Sequence, residues 1–220
     1  MKIFIDSANL DEIKTALAWN MAEGVTTNPS SLGKSGKEPV SLVKEICKII
    51  QGPVSMQVTA DNTVDMVKEG KKIAAMAKNI VVKVPCNREG LNAILEFKKL
   101  RIKVNATNLF TPAQALIAAR NGASYVSTWV GRTTDFNIDG MQLVYDTRQI
   151  FDNYNIKAEI LACSIRDVPQ FVEVAKAGAD IVTIPFSTAS LLTNHPMTDF
   201  TFDAFLKDWS SNPALKKSSK

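Results

Sequence analysis

The sequence predicts a single-domain (β/α)8 barrel, and three observations lead to this prediction. Eight short runs of β-branched or apolar residues recur along the chain, with the lengths of buried strands. Amphipathic segments with apolar residues at helical spacing lie between these runs. The 220 residues leave about 27 for each of eight units, the size of one strand, one helix and two loops, and no linker rich in Pro, Gly or Ser divides the chain.

The predicted strands are apolar runs that close on a polar or turn-forming residue. Because they carry few polar residues, both faces of each strand are expected to be buried, as in a parallel barrel. In chain order the eight strands are predicted at Lys2–Asp6, Gly24–Thr27, Val54–Val58, Ile80–Pro85, Lys103–Thr107, Tyr125–Val130, Lys157–Cys163 and Ile181–Phe186.

The predicted helices fill the spaces between these strands. An open doubly wound sheet is the alternative for such an alternation, but it needs a glycine-rich turn after the first strand, where this chain has Asp6-Ser7-Ala8-Asn9. The helices are predicted at Leu10–Met21, Val64–Lys78, Leu91–Leu100, Pro112–Asn121, Met141–Asn153 and Val168–Ala177.

The end of the chain carries an additional amphipathic segment. Residues 202–209 read Phe-x-x-Phe-Leu-x-x-Trp, which predicts a C-terminal helix whose apolar face caps the barrel or packs on a neighbouring subunit. Residues 212–220 are rich in lysine and serine and are predicted to form a basic flexible tail. The domain prediction is therefore one barrel over residues 1–220.

The composition excludes several classes of protein. No stretch approaches the roughly 20 apolar residues of a membrane span, and the first six residues lack the features of a signal peptide, so we expect a cytoplasmic protein without a membrane partner. The net charge is only +4 and no basic stripe alternates with aromatic residues, so no nucleic-acid partner is expected. Cys47, Cys86 and Cys163 form no C-x-x-C pair and His195 is the one histidine, so no metal site is predicted.

Lys83 is the most unusual residue of the predicted strands. It interrupts the apolar run Ile80–Pro85 in the second half of the fourth strand. An ion pair with a neighbouring acid is one interpretation, since lysine is rarely buried unless paired. The alternative is an amine removed from water that attacks a carbonyl group and forms a Schiff base.

Polar residues at the carboxyl ends of the other strands favour the second interpretation. Active sites of (β/α)8 barrels are built at this face from the ends of several strands. Arg132 follows the sixth strand and Arg166 the seventh, and with Ser164 they are suited to binding an anion such as phosphate. The other polar residues at strand ends are Asp6, Thr26, Asn28, Gln57, Asn105, Thr107 and Ser127.

Taken in order, these motifs resemble the small transaldolase and fructose-6-phosphate aldolase family. The resemblance extends from residue 3 to about residue 209, and its most specific parts are Thr26-Thr27-Asn28-Pro29-Ser30 and Val81-Val82-Lys83-Val84-Pro85. It implies a (β/α)8 barrel that needs no metal or organic cofactor and forms a Schiff base on Lys83. It also implies a homo-oligomer, with a decamer as the size seen among small members.

The resemblance implies a role for each polar residue in the cleavage of a ketose phosphate. Lys83 attacks the ketone, and Asp6 takes the proton of the C4 hydroxyl as the C3–C4 bond breaks. Gln57 and Thr107 position a water molecule, and Arg132, Ser164 and Arg166 hold the distal phosphate. The remaining substrate-binding residues are Thr26, Asn28, Asn105, Ser127 and Trp129.

The chain combines features of both branches of the family and departs from each. Gln57 resembles the aldolase branch, whereas Gly131-Arg132 resembles the transaldolases, which carry glutamate at position 57. Trp129 stands where aldolases have tyrosine and transaldolases phenylalanine, and Asn108 replaces an apolar residue.

These features leave several functions open. The leading hypothesis is transfer of a dihydroxyacetone unit from a ketose phosphate to an aldehyde acceptor. The alternatives are a fructose-6-phosphate aldolase that releases dihydroxyacetone, a transaldolase for sulfonated sugars such as sulfofructose, and a non-catalytic barrel that binds sugar phosphates.

Overall fold

The computed structural model of the protein describes residues 1–212 and separates two compact units, one over Met1–Ala189 and one that begins at Ser190. The first unit contains all eight strands. These are β1 Lys2–Asp6, β2 Gly24–Thr26, β3 Val54–Gln57, β4 Ile80–Pro85, β5 Val104–Leu109, β6 Tyr125–Trp129, β7 Glu159–Cys163 and β8 Ile181–Ile184. The helices are α1 Leu10–Ala18, α2 Pro29–Lys34, α3 Pro39–Ile49, α4 Thr63–Ala74, α5 Arg88–Lys99, α6 Pro112–Asn121, α7 Val130–Thr134, α8 Gly140–Asn153, α9 Val168–Lys176, α10 Phe186–Ala189 and, in the second unit, α11 Pro196–Ser211.

The eight strands form a closed parallel barrel in sequence order. β1 pairs with β8 as well as β2, which leaves no free sheet edge. The predicted (β/α)8 barrel is therefore confirmed. Its strands lie within two residues of the predicted bounds.

The helices differ from the prediction mainly between β2 and β3. Two helices, α2 and α3, occupy this stretch, and each begins at a proline, which is pre-organised for the first helical position. The predicted helix ends were too late at α1 and α4, which close at Ala18 and Ala74. Short helices α7 and α10 directly follow β6 and β8.

Apolar side chains fill the barrel interior below the strand ends. A buried cluster is formed by Phe4, Val81, Tyr125, Leu161, Cys163 and Ile181, and Phe4 is only 1% exposed. The ring of Phe4 lies over Gly24, where an added Cβ would stand 2.6 Å from the ring. Burying a side chain of this size contributes roughly 1.5–3 kcal/mol, so this layer stabilises the barrel.

The second unit contains α11, which confirms the predicted C-terminal helix but begins six residues before the predicted start at 202. The earlier start follows from Pro196 at the first helical position and from the cap on His195, whose Nδ1 accepts from the Met197 N–H at 3.2 Å. The predicted tail from residue 213 onward lies outside the described residues. No helix within residues 1–212 is long and apolar enough to cross a membrane.

Candidate active site

The carboxyl ends of the strands surround a cavity of about 380 Å³. Nine of the twelve predicted site residues line it, and three, Asn105, Thr107 and Arg166, do not. The nine are Asp6, Thr26, Asn28, Gln57, Lys83, Ser127, Trp129, Arg132 and Ser164. A larger groove of about 590 Å³ runs between α1 and α2 and shares Asp6, but none of the other predicted residues reaches it.

Lys83 lies on β4 between Gln57 of β3 and Asn105 of β5. It is 7% exposed, and its Nζ donates one hydrogen bond, to the carbonyl oxygen of Thr27 at 3.3 Å. Among residues 1–212, no carboxylate oxygen lies within the 4.0 Å of a salt bridge from this amine. The ion-pair interpretation of Lys83 is therefore wrong, and a buried amine without a paired carboxylate faces the cavity.

Asp6 ends β1 on the same cavity wall. Burial raises the pKa of its carboxyl group above the ordinary value, while the positive charge of Lys83 and hydrogen bonds from Thr26 and Asn28 act in the opposite direction. The Nδ2 of Asn28 donates to Asp6 Oδ1 at 3.3 Å. A carboxyl group with a raised pKa is suited to accept and return a proton.

The position of Asn28 follows from the local sequence. Asn28 is the N-cap of α2: its Oδ1 accepts from the Ser31 N–H at 2.9 Å, and Ser31 Oγ in turn accepts from the Asn28 N–H at 3.1 Å. Pro29 then occupies the first helical position. Because the cap holds Oδ1 at the helix start, Nδ2 is directed at Asp6.

A buried polar network lies at the level of Lys83. Asn105 donates from Nδ2 to Ser55 Oγ at 3.2 Å and accepts from Ser127 Oγ at 2.8 Å. Asn105 is completely buried, whereas Ser127 lines the cavity. In this structure Asn105 therefore positions Ser127 and does not itself line the cavity.

Trp129 connects three parts of the site. Its indole Nε1 donates to Thr107 Oγ1 at 3.1 Å, and the guanidinium carbon of Arg132 lies 5.4 Å from its ring centroid. The ring of Phe110 also packs against Trp129, with a centroid separation of 5.9 Å. Thr107 is buried behind this indole and is absent from the cavity wall.

Arg166 does not line the cavity and binds an aspartate instead. Both terminal nitrogens of its guanidinium bind Asp135, at 2.7 and 2.6 Å, and its side chain is half exposed. This contact lowers the pKa of Asp135. The backbone at Gly131 nevertheless passes close to this region, since an added Cβ there would lie 2.9 Å from Arg166 Nε and 3.0 Å from Ser164 Oγ.

Five residues of the cavity wall lie outside the predicted set: Pro29, Ser30, Asn108, Cys163 and Thr183. Thr183 has a clear sequence signal, because it is the polar residue of the apolar run Ile181–Ile184, and its hydroxyl bonds that of Thr26 at 2.7 Å. Burial raises the pKa of the Cys163 thiol to about 12, so it is a poor nucleophile.

Comparison with known proteins identifies the family. Residues 3–218 match the family model described as "Transaldolase/Fructose-6-phosphate aldolase". The chain belongs to this family. Proteins named "Probable transaldolase" from Hydrogenobaculum sp. and Thermodesulfovibrio yellowstonii are 49% and 48% identical, and the matches cover 97% and 95% of this chain and 98% of each relative.

A similar relative of the transaldolase/aldolase family occurs in Aquifex aeolicus, at 43% identity over 97% of this chain and 98% of the relative. Among solved structures, inosine 5′-monophosphate dehydrogenase from Legionella pneumophila superposes with a TM-score of 0.59 at 16% identity, over 85% of this chain and 58% of the other, which shows the barrel fold alone. The predicted family and the predicted enzyme class, transaldolase or class I aldolase, are confirmed by the family match.

Proposed function

We propose that this protein transfers a dihydroxyacetone unit from a ketose phosphate to an aldehyde through a Schiff base on Lys83. The observation that carries the proposal is the Lys83 amine, which is buried, has no paired carboxylate among residues 1–212 and faces a cavity shared with Asp6. Such an amine is a nucleophile for a ketone, and the family membership of the chain supports the same chemistry.

The proposed reaction uses two groups for bond making and breaking. Lys83 Nζ adds to the C2 ketone, and loss of water gives an iminium ion. Asp6 then takes the C4 hydroxyl proton, the C3–C4 bond breaks, and its electron pair moves into the iminium to form an enamine. The first aldehyde leaves, a second aldehyde accepts the enamine carbon, Asp6 returns the proton, and water releases the new ketose and the amine.

The remaining residues bind and orient the substrate in this proposal. Asn28 and Ser127 hold hydroxyl groups of the three-carbon unit, with Asn105 fixing Ser127. Gln57 and Thr107 position the water of imine formation. Arg132 and Ser164 bind the distal phosphate, and Arg166 joins them when an anion competes with Asp135 for its guanidinium.

Two observations each favour an alternative reaction or donor. Gln57 resembles the aldolase branch of the family, which favours an aldolase that releases free dihydroxyacetone. Arginine and serine bind a sulfonate by the same hydrogen bonds as a phosphate, so a sulfofructose donor is the second candidate substrate.

Borohydride trapping tests the proposal directly. The protein is treated with fructose 6-phosphate and borohydride, and its peptides are analysed by mass spectrometry. A three-carbon adduct on Lys83 is expected, with none in Lys83→Met. A six-carbon adduct alone would indicate imine formation without cleavage, and no adduct with any ketose phosphate or sulfonate would contradict the Schiff-base proposal.

Addition of an acceptor separates transfer from cleavage. With fructose 6-phosphate alone, a transferase produces little free dihydroxyacetone, whereas an aldolase releases it continuously. Addition of erythrose 4-phosphate is expected to start turnover and to form a seven-carbon ketose phosphate. Release of dihydroxyacetone at the same rate with and without acceptor would assign the aldolase reaction.

Assembly and location belong to the same proposal. We propose a cytoplasmic homo-oligomer, with a decamer expected from the resemblance. The exposed apolar side chains of α11 support an assembled state: Met197, Phe200, Phe202, Phe205, Leu206 and Trp209. Native mass spectrometry of the full chain gives the subunit number, and a monomer would contradict this part.

A further inference from the structure

β5 carries one extra residue next to the cavity. Ala106 pairs with Val126 and Leu109 with Thr128, so β5 advances three residues where β6 advances two. Within this bulge Asn108 has a left-handed backbone with φ of 58°. Asparagine is among the few residues other than glycine that adopt this conformation readily.

The bulge changes the direction in which Asn108 points. Asn105 and Thr107 face the barrel interior, as their bonds to Ser127 and Trp129 show. Strict alternation would place residue 108 on the opposite face with Ala106, against the helices. Because the bulge interrupts this alternation, Asn108 lines the cavity instead.

The Asn108 amide is free to bind a ligand. Its side chain makes no hydrogen bond within residues 1–212 and is exposed. Other left-handed asparagines, such as Asn155, follow the ends of helices and line none of the cavity. The left-handed backbone alone therefore explains why asparagine occurs at these helix ends. Asn108 has the same backbone conformation, but its amide also lines the cavity without a hydrogen-bond partner among residues 1–212.

The height of Asn108 in the barrel indicates which part of a substrate it meets. Lys83 pairs with Asn105, three residues before Asn108. Because one of these residues is the extra residue of the bulge, Asn108 lies about 7 Å further along the strand direction. Trp129 and Arg132 line the same cavity. Asn108 is thus placed towards the part of the substrate remote from the Schiff base.

We propose that Asn108 is a specificity-determining residue whose amide hydrogen-bonds a hydroxyl group on the aldehyde acceptor, between its reacting carbon and its anionic end. This assignment rests on the proposed function. An amide offers donors and an acceptor, which matches a hydroxyl group that does both. The ligand class is therefore a hydroxylated aldose phosphate or sulfonate rather than a deoxygenated aldehyde.

The test compares two acceptors that differ only in hydroxyl groups. Dihydroxyacetone serves as donor, and the acceptors are erythrose 4-phosphate and 4-oxobutyl phosphate, which lacks both hydroxyls. The measured quantity is the kcat/KM for erythrose 4-phosphate divided by the kcat/KM for 4-oxobutyl phosphate. The contribution of the shared phosphate cancels in this ratio.

Asn108→Gly keeps the left-handed backbone and removes only the amide. We expect it to lower the ratio about tenfold, the size of one lost hydrogen bond near the upper end of the usual range. Asn108→Asp still accepts from a hydroxyl, so the ratio is expected to stay within about threefold of the native value. Asn155→Gly makes the same change outside the cavity and is expected to leave the ratio unchanged.

An unchanged ratio in Asn108→Gly would overturn the assignment. If both kcat/KM values are also unchanged, the amide binds no acceptor hydroxyl, and if both fall equally, the role of Asn108 is purely structural. Borohydride trapping of dihydroxyacetone on Lys83 separates these results from failure of the proposed function. The adduct should form equally in the native protein and in Asn108→Gly, and its absence from both would overturn the Schiff-base proposal and this assignment with it.

Discussion

Two layers inside the same barrel differ in chemistry although the same strands build them. The lower layer is apolar or lacks a side chain: Phe4, Gly24, Val81, Tyr125, Leu161 and Ile181. On the same six strands the upper layer starts two residues later and lines the cavity: Asp6, Thr26, Lys83, Ser127, Cys163 and Thr183. Of these, Cys163 also packs in the apolar cluster. Side chains on the same face of a strand recur every two residues. On each of these strands one inward-facing residue therefore belongs to the apolar layer, and the next inward-facing residue lines the cavity.

The largest expected effect comes from removing the amine of the upper layer. Lys83→Met is expected to lower kcat at least about 1000-fold, since no other residue supplies the covalent step. The same change removes a buried amine that no carboxylate pairs with, so the thermal midpoint is expected to stay or rise. Steady-state kinetics and calorimetry measure the two effects, and normal turnover would exclude the Schiff base.

Asp6→Asn is the second test of the upper layer. The pKa of Asp6 is raised mainly by burial, and the reaction needs its carboxylate, so kcat/KM should increase as pH rises through that pKa. We expect Asp6→Asn to lower kcat/KM about 100-fold and to remove this acid limb, measured as a pH–rate profile.

Asp6→Asn is expected to lower activity but to raise the stability of the folded protein at neutral pH. A raised pKa means that the folded protein binds the Asp6 proton more tightly than the unfolded chain does. Asp6 therefore favours folding at low pH, and this contribution is lost as pH rises from the unfolded to the folded pKa. At pH 7 Asp6→Asn is expected to raise the thermal midpoint, and a lower midpoint would contradict the predicted cost of burying this carboxylate.

Substitutions in the lower layer are expected to change the free energy of unfolding and not the catalytic activity. Gly24→Ala places a Cβ 2.6 Å from the Phe4 ring and is expected to cost about 2 kcal/mol of unfolding free energy. In the background of Phe4→Leu the same substitution should cost less, because the smaller side chain leaves room. Urea unfolding of the native protein, the two single variants and the double variant gives the free energies of this double-mutant cycle. If the two changes in unfolding free energy add, the two residues do not compete for the same space.

The smallest expected effect concerns Gln57, which lies beside Lys83. Gln57→Glu introduces an ionisable group and is expected to raise the rate of transfer to erythrose 4-phosphate about threefold, through better proton movement during imine formation. Initial rates with and without acceptor measure it. An unchanged or lower rate would show that Trp129, which binds the Thr107 hydroxyl, has reorganised the water site.

The sequence predicts the barrel and most of the site because both depend on the alternation of side chains along strands, which repeats every two residues. Lys83 and Asp6 stand out as polar residues at the ends of apolar runs, and closure of the sheet brings those ends together. Thr183 follows the same rule, but the predicted eighth strand extends to Phe186 and so places Thr183 in its middle, whereas β8 ends at Ile184. The capped start of α2 is also local, since Asn28, Pro29 and Ser31 are neighbours in the chain.

The sequence by itself therefore determined the fold, the family and the residues that alternate along regular strands. Tertiary structure decided three features that alternation does not encode. A bulge places Asn108 at the cavity, Arg166 binds Asp135 and does not line the cavity, and Asn105 is buried and bonded to Ser127. The physical reason is that each depends on a partner 22 or 31 residues away along the chain or on a shift in strand register, and a local pattern carries no information about either.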